Sequence, residues 1–222
     1  MYITSSQLLS DFNVLANALY LGVLLQALRK TPWRSLLRFD RLNLFLAACA
    51  CLVVLWTMRA GVSQGLALHY LGVTTLTLVF GWPLALVGSS LVLAVLGLAK
   101  GLDWAAFGID AVATGVVPVL VTHGLYRLVD RRLPKNFFIY LYLCAFLGGM
   151  LALLASALLV AALLALSGAY PVAKIGYEYL AYLPLLVLPE GILNGMVMTM
   201  LMVFKPHWVT TFDADQYLGR GR

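Results

Sequence analysis

Seven long apolar runs, at about residues 7–28, 42–59, 65–80, 83–99, 105–129, 136–166 and 180–204, decide what this chain can fold into. A helix crosses a hydrocarbon core about 30 Å thick in about 20 residues. Only 11% of the 222 residues are charged and 63% are hydrophobic, against about 25% charged in soluble domains. The chain therefore reads as an integral membrane protein whose one obligatory partner is the lipid bilayer. The ten-residue alternation of a membrane barrel is missing, so the spans are helices that satisfy their own backbone groups. The expected fold class is an all-α integral membrane bundle of about seven transmembrane helices, with the N-terminus outside and the C-terminus cytoplasmic. Residues 1–204 form the membrane domain and 205–222 a short tail.

Charge fixes the count. The stretch from 65 to 99 could be one long helix or two short ones broken at Gly81-Trp82-Pro83. The loop holding Arg29, Lys30, Arg34, Arg38 and Arg41 and the loop holding Arg127, Arg131, Arg132 and Lys135 are both cytoplasmic by the positive-inside rule. An even number of crossings must separate them, so residues 65–99 cross twice and Pro83 opens the second helix. Fifteen cations less Arg59, Lys100 and Lys174 leaves twelve on the cytoplasmic side. The net charge of +6 is then a matter of topology, and no nucleic acid partner is expected. The first charge is Asp11 and the first cations are Arg29 and Lys30, which is not the pattern of a cleaved signal peptide. Cys49, Cys51 and Cys144 lie in apolar runs without thiolate-site spacing and read as packing residues. In the last run Met196, Met198, Met200 and Met202 alternate on both sides of a helix and form no thioether stripe.

Ionisable groups inside a span cost at least a few kcal/mol each and are functional candidates by default. Here they are Asp11, His69, Asp110, His123 and Glu190, with Asn13, Asn17 and Asn194 beside them. Glu190 stands alone in about 25 residues without another charge, ten residues into its run. Asn194, four residues on, shares its helix face. Asp11, His69, Asp110 and Glu190 all fall in the outer half of their spans, which suggests an outward-opening polar pocket. The candidate metal-holding residues among these are His69, Asp110 and Glu190, with Asp11 and Asn194 as secondary pocket residues. Such a mixed nitrogen and oxygen set suits a borderline or hard cation such as zinc, cobalt or manganese. Gly148, Gly149, Ala152 and Ser156 offer a small-residue face for close helix packing. Trp208, Phe212, Tyr217 and Leu218 alternate with polar residues, so the tail from His207 to Leu218 is expected along the cytoplasmic membrane face.

The stretch LHYLGVTTLTLVFGWPLALVGSSLVL resembles the core of the CbiM/NikM-type permeases, the substrate-capture subunits of energy-coupling-factor (ECF) ABC transporters for cobalt and nickel. GIDAVATGVVPVLV and LPEGILNGM resemble two later segments of that family, and the likeness runs over about residues 65–204. It implies a seven-helix bundle with its N-terminus outside. It also implies a metal held by the N-terminal amine, here that of Met1, which joins the candidate metal-holding set, by a histidine at position two and by a second histidine at the start of the quoted motif. His69 matches the second histidine, whereas Tyr2 stands where the family has the first.

The expected function is thus the membrane capture component of an ECF-type transporter for a divalent transition metal such as cobalt or nickel, in a bacterial inner membrane. The metal is substrate, and no cofactor is expected. No Walker-type phosphate loop and no nucleophile–base pair appears, so the chain is not expected to be an enzyme. ATP hydrolysis falls to separate ATPase and coupling permease subunits. The alternative is a non-transport scaffold or assembly factor whose polar residues hold helices together.

Overall fold

The computed structural model describes residues 10–58, 69–101 and 103–217, and the side chains of these residues apart from Ser10, Asp11, Phe39 and Lys100. Among them the chain is helical, with no strand. The principal helices are α1 (Ser10–Lys30), α2 (Phe39–Thr57), α3 (Val73–Phe80), α4 (Trp82–Lys100), α5 (Phe107–Arg132), α6 (Phe137–Leu166) and α7 (Leu183–Phe204). All but α3 are long and apolar enough to cross a membrane among the described residues. The protein is an all-helical, multi-pass membrane bundle.

Local chemistry sets the helix ends. α3 lies between two glycines with positive φ, Gly72 at 63° and Gly81 at 82°, a region that only glycine enters without strain. Pro83 sits in the first turn of α4, where its missing N–H costs nothing. The Asn136 side chain caps α6 by accepting from the Phe138 N–H at 2.8 Å. Both α5 and α6 carry π-helical turns, over Val112–Val116 and Tyr140–Leu147. Each shifts which residues face the interior.

The third apolar run departs from expectation. Hydropathy over 65–80 suggested a full-length spanning helix, whereas the helix among its described residues has eight residues and is about 12 Å long. Seven of its eight residues are buried. The break at Gly81 does end one helix and start the next. Lys30, at the end of α1, lies 5.5 Å over the Trp82 ring at the start of α4. The end of α1, the start of α2 and the start of α4 therefore share one end of the bundle. The chain must return to that end between Thr57 and Trp82, and α3 is the last part of the return.

The small-residue face of α6 is internal. Gly148, Gly149, Ala152 and Ser156 are all buried within this chain, so they pack the bundle and offer no surface to a coupling subunit. A Cβ on Gly149 would come 2.9 Å from the Asn194 amide nitrogen. Met198 and Met202 are buried while Met196 and Met200 face outward, as the alternation implied. Cys49 and Cys144 are buried and Cys51 is exposed.

A close helix approach joins α1 to α5. Asn17 donates to the Ala105 carbonyl at 2.9 Å and accepts from the Gly108 N–H at 3.0 Å. A Cβ on Gly108 would fall 2.6 Å from the Asn17 Cα, a backbone atom that cannot swing aside. Gly108→Ala should therefore separate α1 from α5 and cost about 1–3 kcal/mol. Thermal unfolding in detergent checks this, and an unchanged midpoint would contradict it.

Candidate functional site

A short helix inside a bilayer exposes its unpaired terminal N–H and C=O groups to a medium with no water, so the protein must satisfy them itself. At the start of α3 the satisfaction comes from α7. Glu190 Oε2 accepts the Leu71 N–H at 2.9 Å, and Oε1 accepts the Gly72 N–H at 2.8 Å. Asn194 Oδ1 accepts both the N–H of Thr75 at 2.9 Å and its hydroxyl at 2.7 Å. The same asparagine donates Nδ2 to Glu190 Oε1 and to the Glu190 carbonyl, each at 2.8 Å. These contacts fix which way the amide points. Glu190 and Asn194 are both fully buried. Glu190 thus meets three N–H donors, two from the residues that lead into α3 and one from Asn194 on its own helix.

This corrects the expectation of a solvated pocket around Glu190. Both its oxygens are occupied by protein donors, and it acts as a clamp on the segment before α3. Pro189, one residue earlier, lies inside the continuous α7 and removes one N–H from its hydrogen-bond ladder.

That segment carries His69, which is 2% exposed. Its Nδ1 lies 2.9 Å from the Tyr70 carbonyl. A carbonyl only accepts, so the neutral ring carries its proton on Nδ1 and its lone pair on Nε2, the arrangement found in metal-ligating histidines. The Trp56 ring packs 5.5 Å from the imidazole, and Trp56 Nε1 donates to the Leu71 carbonyl at 2.9 Å. Leu71 is therefore pinned by its carbonyl to α2 and by its N–H to α7. Gly72 completes the turn, since a Cβ there would strike Leu52 at 2.8 Å. Trp56, Thr75 and Gly72 were not singled out from the sequence. Gly72, placed between an imidazole and an apolar helix, was the one available signal.

The remaining candidates are Asp110, Met1 and Asp11. Asp110 is buried on α5, two residues past the Gly108 contact with α1. Among the described residues, no three His, Cys, Asp or Glu side chains gather to hold an ion, so His69, Asp110 and Glu190 do not form one ligand set. Met1 and the side chain of Asp11 lie outside the described residues.

Long apolar helices surround a short one, and the clamped segment that leads into it carries His69. Residues 7–208 match the CbiM family, described as the cobalt uptake substrate-specific transmembrane region, and the chain belongs to that family. It is a metal-transport membrane component. Two solved structures share the fold. A transition metal transporter superposes with a TM-score of 0.76 at 20% identity, covering 91% of this chain and 93% of its own. A truncated transition metal transporter gives the same score and identity, covering 91% and 99%. Among curated proteins no sequence match is found.

Proposed function

We propose that the chain captures a divalent transition metal ion, cobalt or nickel first, from the outer side of a bacterial inner membrane. It passes the ion inward in a cycle driven by a separate coupling permease and ATPase. Residues 1–204 are the membrane domain, with seven crossings and the N-terminus outside, and 205–222 the cytoplasmic tail. The basic residues at the shared end of α1, α2 and α4 support that orientation.

The observation that carries this reading is the tautomer-fixed, buried His69 on a backbone segment pinned from both sides. Imidazole nitrogen suits cobalt and nickel. The amine of Met1 is the second donor that the family likeness supplies. Asp110 and Asp11 remain candidates for oxygen donors. Glu190 and Asn194 hold the segment instead of the ion, which takes the structural side of the scaffold alternative into the transport reading.

Equilibrium dialysis of the purified protein against cobalt, followed by elemental analysis, tests the proposal. About one cobalt per chain is expected, with binding that weakens as pH falls, because protons compete for the imidazole and for any amine ligand. Protein that retains neither cobalt, nickel nor zinc at neutral pH would overturn the reading.

A further inference from the structure

One continuous stretch of chain brackets α3. Glu190 and Asn194 hold its N-terminal donors, and a few residues past the end of α7 the tail takes its C-terminal acceptors. The Thr210 N–H donates to the Val79 carbonyl at 3.0 Å, and the Thr211 hydroxyl donates to the Leu78 carbonyl at 2.6 Å. A hydroxyl has one proton, so in its 2.5 Å contact with Thr211 the Tyr140 phenol is the donor.

The tail is locked into this position. Phe212 and Tyr217 are buried and stack with ring centroids 4.9 Å apart. Both meet Tyr140 edge-on, at 5.3 and 5.4 Å. The Tyr217 hydroxyl lies 3.5 Å from Asp130, which is paired with Lys135. Burial, with Asp130 beside it, pushes the Tyr217 phenol up, so it stays a proton donor. The tail therefore packs on protein, contrary to the expectation that these rings lie along the membrane face. Leu218 lies outside the described residues.

We propose that Thr211 is a positioning residue for the metal-holding segment. α3 is a rod of about two turns. With its last carbonyls tied to the tail and its first amides tied to α7, neither end can shift alone. Releasing Leu78 frays the rod from the inner end and loosens Leu71 and Gly72, and His69 with them. A partner that draws the tail away would reach the histidine through α3. The inference rests on the proposed function only in calling this segment metal-holding.

Hydrogen–deuterium exchange of the full chain in detergent, without added metal, tests the coupling. Thr211→Val keeps the shape of the side chain and deletes its donor. Exchange in peptides covering residues 69–80 should rise on the order of ten-fold, with α1 and α2 unchanged. Thr211→Ser should match the wild type. Thr210→Ala keeps its N–H and should also be silent. Tyr140→Phe, which only removes the phenol that orients Thr211, should give a smaller rise in the same peptides and serves if the valine variant does not fold. Unchanged exchange at 69–80, an equal rise in the serine variant, or a uniform rise over the whole chain would overturn the proposal. In the same variants cobalt affinity should fall for valine and hold for serine. A wild type that binds no cobalt defeats the functional reading and leaves the exchange result standing.

Discussion

Glu190→Leu is expected to leave almost no folded protein. The substitution strands the Leu71 and Gly72 amides and one Asn194 donor at a fully buried position. Each unpaired buried donor costs about 1–3 kcal/mol, so the total is about 5 kcal/mol, comparable with the whole stability of many domains. Glu190→Gln is a finer probe. Its amide oxygen can replace Oε1, but its NH2 then faces the Leu71 N–H, donor against donor. One stranded donor should cost about 1–3 kcal/mol, so this variant should fold with a lowered midpoint. Thermal unfolding by size-exclusion recovery measures both. A Glu190→Gln midpoint equal to wild type would show that Leu71 does not depend on the carboxylate.

Much of this arrangement was legible before the structure, and the remainder was hidden for definite reasons. Glu190 stood out because a carboxylate in an apolar run needs a partner, and its shared face with Asn194 follows from helical spacing alone. What it binds was not legible. Backbone N–H groups are the same in every residue, so Leu71 and Gly72, more than a hundred positions away, leave no mark in the sequence. Hydropathy also cannot tell a buried half-helix from a full-length spanning helix, which is why residues 65–80 read as the latter. Gly72 and Gly81 were the punctuation that bounded α3, but only Gly81 was used. The tail misled because aromatic rings alternating with polar groups suit a membrane interface and a protein groove alike. Thr210 and Thr211, which decide between these, carry no pattern.

His69→Gln is expected to remove metal binding while leaving the bundle intact. The hydrogen bond of Nδ1 is to the neighbouring Tyr70 carbonyl, and glutamine is similar in length, so the variant should fold with a loss of about 1–3 kcal/mol at most. Changes in the outer shell of a metal site already cost 10–100-fold in affinity, so loss of the imidazole itself should cost on the order of a hundred-fold or more. The contrast with Glu190→Leu separates the two roles. One variant folds and does not bind, and the other does not fold.

Cobalt titration of wild type and His69→Gln, at one temperature well below both unfolding midpoints, tests the central claim most directly. The account predicts saturation near one cobalt per chain in the wild type and no saturable binding in the folded His69→Gln protein. Wild-type occupancy and affinity in His69→Gln would contradict it.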